Sequence, residues 1–283
     1  MEGMTINEHP VLVLGGNGKT GRRVADRLTA LGRPVRRGSR TGTPPFDWTD
    51  RATWPAALDG VGTVYLSYQP DLAVPGAVAA VESFTRLAVA RGVDRVVLLS
   101  GRGEPEAEQA EQAVRQVVDA AGGRWTVVRA SWFQQNFSEG PFVHDVRRGE
   151  VALPVDGVTE PFVDADDVAE VAVAALTGDG HASEVYEVTG PRLLTFAEVV
   201  AEIAAATGRP VRFTPVPAPD YAAALGRAGA PAEVVALLTY LFTEVLDGRN
   251  ASLADGVRRA LGRPPRDVTG YARATAATGV WAA

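Results

Sequence analysis

A glycine-rich turn between an apolar run and a helical pattern constrains this chain more than any other feature. Pro10-Val11-Leu12-Val13-Leu14 is rich in β-formers and reads as a buried strand. Gly15-Gly16-Asn17-Gly18-Lys19-Thr20-Gly21 follows at once, and Val24, Leu28 and Leu31 then recur at helical spacing until Gly32. The turn satisfies G-x-G-x-x-G through Gly16, Gly18 and Gly21, and a wider spacing through Gly15, Gly18 and Gly21. Such a turn needs one glycine for its sharp bend, one for close approach of backbone to a pyrophosphate, and one for helix-on-strand packing. The phosphates then meet a helix N-terminus, where free N–H groups and the dipole favour anions. A Walker A loop is disfavoured, because the residues around Lys19 do not complete its pattern. A glycine-rich turn with no ligand is the alternative, and the position at the first strand-to-helix junction argues against it.

The rest of the first half alternates. Strands are expected at residues 34–36, 61–66, 93–99 and 125–128, and helices at 19–31, 51–58, 74–90 and 105–121. That order predicts an α/β fold of Rossmann type: a doubly wound parallel sheet, helices on both faces, right-handed crossovers. In the second half Asp164 should cap a helix to residue 176, and residues 185–188 read as a strand. Thr195-Phe196-Ala197-Glu198 is a capping box. Helices are expected near 220–226, 231–246, 252–261 and 267–277. The reading is a dinucleotide-binding portion over 1–150 and a small, mostly helical substrate-binding portion over 151–283, interleaved in one compact unit. The helical tail is expected to pack across the open end of the sheet and form much of the substrate pocket.

Composition narrows the function. There is no cysteine, so disulfides, thiolate metal sites and a cysteine nucleophile are out. A formal net charge of −6 argues against a nucleic-acid partner. No apolar run approaches the roughly 20 residues of a membrane span, so no membrane partner is expected. The polar start, Met1 to Pro10, lacks the blocks of a signal peptide and points to the cytoplasm. The expected partner is a small-molecule substrate, and the expected state a monomer or homodimer. Lys19 is the sole lysine, so a mechanism that needs a lysine must use it.

An NAD-preferring site usually carries an acid about 20 residues after the glycine motif. Here the chain reads Arg36-Arg37-Gly38-Ser39-Arg40, with no carboxylate. Arginine can accept a 2′-phosphate through charge-assisted bonds. Arg40 is the first candidate, with Ser39 and Arg36 or Arg37 as helpers, and NADP(H) is expected over NAD(H). A solvated basic turn is the alternative.

Many short-chain dehydrogenases protonate the nascent alkoxide with a Tyr-x-x-x-Lys pair. None of the six tyrosines here has a lysine four positions on, and only Ser100 remains from the usual serine position. Hydride transfer to a ketone leaves an alkoxide that needs a proton, whereas an iminium carbon yields a neutral amine and needs none in that step. A non-catalytic binder also fits this absence.

Several blocks carry a family likeness: the glycine motif, Phe46-Asp47-Trp48, Val97-Leu98-Leu99-Ser100, Ser131-Trp132-Phe133-Gln134-Gln135-Asn136-Phe137, Pro161-Phe162-Val163-Asp164-Ala165-Asp166-Asp167-Val168-Ala169 and Thr189-Gly190-Pro191-Arg192-Leu193-Leu194-Thr195. Over nearly its whole length the chain resembles the NmrA-like atypical short-chain dehydrogenase/reductases, and among them the ergot-alkaloid-type reductases, the group of festuclavine synthase and agroclavine dehydrogenase. The resemblance implies NADP(H) held by the loop of Gly15, Gly16, Asn17, Gly18, Lys19, Thr20 and Gly21, near Arg40, and along Leu66-Ser67-Tyr68-Gln69; Ser39, Asp47 and Ser100 are further candidate cofactor contacts. It implies reduction of imines, iminiums, enones or quinones, or sensing of the NAD(P) redox state. The chain departs from the family at Arg129-Ala130, where Arg-Pro is common, and in the charged run Gly101-Arg102-Gly103-Glu104.

Trp132, Phe133 and Phe137 are candidates for an aromatic substrate wall, with core packing as the alternative. Asn136 is a candidate hydrogen-bonding residue or a helix cap. Tyr68 is a substrate contact, and Tyr68, His144 and Ser100 are the candidate acids. Asp164, Asp166 and Asp167 suit a helix start better than a metal, since no nearby histidine completes a ligand set. The leading expectation is an NADPH-dependent reductase of a small hydrophobic imine, iminium or conjugated C=C substrate, with secondary metabolism as its expected setting. The alternative is a non-catalytic NADP(H) sensor, and a ketoreductase with an unrecognised acid ranks third.

Overall fold

The computed structural model describes residues 9–282, and the polar start read for targeting lies outside them. The chain forms two units that exchange segments. Unit one holds the chain up to Ala130, with Ala165–Glu187 and Gly256–Arg263; unit two holds Ser131–Asp164, Val188–Asp255 and the chain from Pro264 onward.

In unit one, β1 (Val11–Leu14), β2 (Val35–Gly38), β3 (Thr63–Leu66), β4 (Arg95–Gly101) and β5 (Arg124–Ala130) pair in parallel. With β8 (Glu184–Val188) the order is β2-β1-β3-β4-β5-β8. The chain leaves β1 for one side and returns to β3 on the other, which places the switch point, and the crevice it opens, at the carboxyl ends of β1 and β3. Leu12, Leu14, Val64, Leu66, Val96 and Leu98 share one core with α2 (Trp54–Leu58), α3 (Ala77–Ala90) and α4 (Pro105–Ala120). Their strand neighbours Val11, Val13, Tyr65 and Val97 are equally buried, and α1 (Lys19–Ala30) packs on α6 (Ala165–Thr177). Burial on both faces is why these strands are apolar runs rather than alternating ones.

In unit two, α5 (Val143–Arg148) leads into β6 (Glu150–Leu153), which pairs in parallel with β10 (Arg212–Pro215). Thr159–Glu160 (β7) pairs antiparallel with Leu194–Thr195 (β9). These four short strands escape the sequence reading, because each partner lies far away in the chain and none alternates. The capping box forms as read: the Thr195 hydroxyl accepts from Glu198 N–H, and Glu198 accepts from Thr195 N–H, opening α7 (Phe196–Thr207). Helices α8 (Ala218–Arg227) and α11 (Val268–Ala277) also form. Two expectations shift. The helix read at 231–246 is α9 (Ala232–Tyr240) followed by a π turn, Leu241–Val245. The one read from residue 252 begins only at α10 (Gly256–Leu261), whose first glycine sits so close to Glu187 O that a Cβ would stand 2.1 Å from it. Among the described residues no helix is long and apolar enough to cross a membrane.

Candidate functional site

The glycine loop bends at Gly15, whose φ is +64°, and Gly18 N–H donates to Gly15 O at 2.7 Å. A Cβ at Gly21 would stand 2.2 Å from Gly15 O and one at Gly16 2.8 Å from Arg37 Cβ. Gly21 is thus the close-packing glycine between helix and strand. Gly18 is the N-cap of α1, with no side-chain cap and no acid in the first turn. A helix start without a side-chain cap or an acid is the kind of N-terminus that suits an anion such as a pyrophosphate.

A cavity of about 660 Å³ opens over this turn. Gly15, Asn17 and Gly18 form one side, and Ser39, Arg40, Asp47 and Trp48 another. Gln69 reaches across, its Nε2 standing 3.2 Å from where a Gly18 Cβ would lie. A side chain there would be a tight fit. Lys19 and Thr20 follow in the first turn of α1, with Thr20 buried. The fit to a dinucleotide therefore rests on open backbone donors, a space that side chains would fill, and a basic wall.

The wall is ordered. The Asp47 carboxylate accepts from Thr49 N–H (2.9 Å) and Oγ (2.8 Å). Those bonds, with Arg40 nearby, hold its carboxyl below the ordinary range. Trp48 Nε1 donates to Ser67 O at 3.2 Å, and its ring lies 4.8 Å from that of Tyr68. Leu66 is fully buried. Arg40 is exposed at the cavity, whereas Arg36 donates to Ala57 O and Asp59 O. Arg36 is thereby committed to closing α2 rather than helping Arg40. Arg37 donates to Gly16 O at 3.0 Å and to Asp26 at 2.5 Å, and borders a second, 440 Å³ hollow with Ser39.

Of the three candidate acids, none is a ready donor. Tyr68 is half-buried, and burial pushes its phenol up. Ser100 is 3% exposed and gives its proton to Glu111 Oε1 at 2.7 Å. His144 lies exposed on α5 of unit two, beside Asp145. Sequence reasoning missed the groups around Ser100. Glu111 is 1% exposed and is bound by Arg129 from β5, and on α4 it stands four residues before Arg115. The i, i+4 spacing of two charges was the available signal. A second missed pair joins Asp71 and Glu104 by a side-chain hydrogen bond, with the Glu104 carboxyl packed over Gly101. Burial first, then Asp71, pushes the Glu104 carboxyl well up.

In unit two the aromatic run divides. Phe137 is wholly buried among Phe142, Phe162 and Phe196, and its carbonyl accepts from Trp281 Nε1 at 2.7 Å. That ring serves the core, which corrects its reading as a pocket wall. Trp132 and Phe133 are half-buried, with Trp132 edge-on to Phe196. Asn136 lies in a 3-10 turn, Gln134–Phe137, where its carbonyl accepts from Phe142 N–H. Asp164 accepts from Gln135, while Asp166 pairs with Arg23 and Arg27, and Asp167 with Arg263.

With this geometry in view, the NmrA-like family model matches residues 47–254. Agroclavine dehydrogenase of Claviceps fusiformis is 33% identical over 276 residues, 90% of this chain and 93% of that protein. An NAD(P)H azoreductase of Xenophilus azovorans is 30% identical over 94% of this chain and 98% of its own length. The Escherichia coli quinone oxidoreductase QOR2, solved with NADPH, superposes with a TM-score of 0.72 at 20% identity, over 93% of this chain and 98% of that one. That last likeness is one of fold.

Proposed function

The chain belongs to the NmrA-like family, and from that premise we propose that it is an NAD(P)H-dependent reductase of a small hydrophobic C=N or conjugated C=C substrate. The observation that carries this reading is the uncapped N-terminus of α1 beneath a glycine loop, opening into the cavity walled by Arg40, Asp47 and Trp48. The relatives named for clavine oxidation and azo reduction, and the NADPH-bound fold neighbour, support it. The pyrophosphate lies on the first turn of α1, and Asn17, Lys19 and Thr20 belong to that cradle. NADPH is preferred: Arg40 donates to the 2′-phosphate with Ser39, and Arg37 stands behind them. The nicotinamide, when bound, supplies hydride. This chain's own contribution is position and electrostatics at the carboxyl ends of β3 and β4, with Tyr68 and Ser100 nearest the reacting atoms.

The test is NADPH consumption with a panel of cyclic imines, iminiums, enones, quinones and ketones. Rapid oxidation with C=N or conjugated acceptors and loss in Arg40→Ala at limiting NADPH are the expected results. Turnover of simple ketones alone would overturn the reading. That none of Tyr68, Ser100 and His144 is a ready proton donor also suits a redox sensor of the same family, and tight NADPH binding without turnover of any acceptor would favour that second reading.

A further inference from the structure

The peptide between Gly16 and Asn17 is fixed from the end of β2. Gly16 N–H donates to Gly38 O at 3.2 Å, and Gly16 O accepts from Arg37 Nη1 at 3.0 Å. The same guanidinium donates through Nη2 to Asp26 on α1 at 2.5 Å. A Cβ at Gly16 would stand 2.8 Å from Arg37 Cβ, so glycine is what lets the turn and the strand come this close. The Arg37 and Asp26 side chains are 38% and 66% exposed, and a pair so open to water adds little to stability. Its effect is one of orientation. Glycine lacks a Cβ and asparagine tolerates positive φ, so the Gly16–Asn17 peptide meets little steric resistance to flipping. In a trans peptide the carbonyl and the next N–H point in opposite directions. With Gly16 O turned toward Arg37, the Asn17 N–H points away from Arg37. Asn17 lines the cavity of about 660 Å³ with Gly15 and Gly18, and Arg37 does not.

We propose that Arg37 is a positioning residue for the dinucleotide and not a ligand of it. It locks the Gly16–Asn17 peptide so that the Asn17 N–H, rather than the Gly16 carbonyl, meets the pyrophosphate. Asp26 holds the guanidinium in place for that task. The proposal rests on the dinucleotide reading above and assigns a separate duty to each of two arginines in one basic run. Arg40 lines the cavity and takes the 2′-phosphate. Arg37 has two of its three nitrogens engaged inside the fold. Without the lock, a flipped peptide turns the negative end of a carbonyl dipole toward the phosphates, and the turn loses affinity for any ligand that carries a pyrophosphate.

The test titrates the wild type, Arg37→Met and Asp26→Ala with NADPH, NADH and adenosine 2′-monophosphate at one ionic strength, with melting temperatures as the check on folding. NADH carries the pyrophosphate without the 2′-phosphate, and adenosine 2′-monophosphate carries the reverse. Arg37→Met should weaken NADPH and NADH alike, roughly 3- to 10-fold for one lost hydrogen bond, and leave adenosine 2′-monophosphate within about twofold. Asp26→Ala removes a negative charge, which by itself would tighten every anion. The lock requires the opposite sign: NADPH and NADH should both weaken, roughly 2- to 5-fold. Loss of NADPH and adenosine 2′-monophosphate in Arg37→Met with NADH retained would make Arg37 a 2′-phosphate ligand and overturn the proposal. Unchanged affinities in Arg37→Met, or tighter binding in Asp26→Ala, overturn it as well. If Arg37→Met does not fold, the sign of the Asp26→Ala effect decides alone. A wild type that binds neither NADPH nor NADH removes the dinucleotide reading itself; binding with the wrong pattern among the variants removes only the proposal.

Discussion

The carboxyl ends of β1 and β4 lie two strands apart in one sheet and are built in opposite ways. At β1 the side chains are removed: glycines bare the backbone, and Gly18 gives α1 no side-chain cap. At β4 the side chains are crowded in: Ser100, Arg129 and Arg115 all donate to Glu111, Arg129 also donates to Glu187, and Arg115 Nε is left buried without a hydrogen-bond partner. The first end is bare of side-chain caps. The second is filled by an ion-pair network around Glu111. Open backbone at one end and a closed set of charged side chains at the other show how one sheet edge can carry a binding turn and a structural network side by side.

The contrast is open to direct attack. Arg129→Met leaves the buried Glu111 carboxylate without its main partner, and breaking such a pair costs about 3–5 kcal/mol. Denaturant unfolding should show that loss, and Glu111→Leu on the same background should recover much of it. If the single change is neutral, the β4 end is not the closed network described. Gly21→Ala strikes the β1 end. Its Cβ would meet Gly15 O at 2.2 Å, so the loop must deform, at about 1–3 kcal/mol as for other overpacking. NADPH affinity should fall sharply in a fluorescence titration while Gly18→Ala, whose contacts begin at 3.1 Å, does less. Equal effects would mean that packing of helix on strand does not shape the site.

Arg40→Ala should lower the NADPH-to-NADH affinity ratio about tenfold, the worth of one charge-assisted bond. A ratio that moves only with Arg37→Ala would transfer the 2′-phosphate to the second hollow. The smallest effect concerns Glu104. Its carboxyl is raised in the folded protein, chiefly by burial and then by Asp71, so the fold keeps a proton that the unfolded chain releases. Stability then falls as pH rises from the ordinary 4.5 through the folded value. Glu104→Gln should flatten that decline, and melting temperatures across pH 4 to 8 would check it (an interval spanning about the unperturbed carboxyl range to neutrality). A decline of undiminished slope would place its cause elsewhere.

The β1 end was readable from the chain because all its parts lie within one strand, one turn and one helix. Gly15, Gly18 and Gly21 carry their meaning in their spacing, and the capping box at Thr195 and Glu198 is equally local. The aromatic run after β5 was half readable. Its residues are near in sequence, yet only packing against Phe196 and Trp281 shows that Phe137 is core while Trp132 is half-open. The shared aromatic type gave no means of telling them apart.

By itself the sequence determined the alternation of strand and helix, the anion-ready turn and the lack of a Tyr-x-x-x-Lys pair, since local periodicity and residue inventory suffice for each. Only the tertiary structure decided which arginines are free and which way a hydroxyl points. Arg36 and Arg40 look alike in a basic run, but the fold sets Arg36 under two carbonyls at the end of α2. Ser100 donates because Glu111 stands beside it, and Glu111 is in turn held by Arg129, and Arg129 by Glu187, from two other strands. A hydrogen bond's direction belongs to the pair, and strand order brings these pairs together.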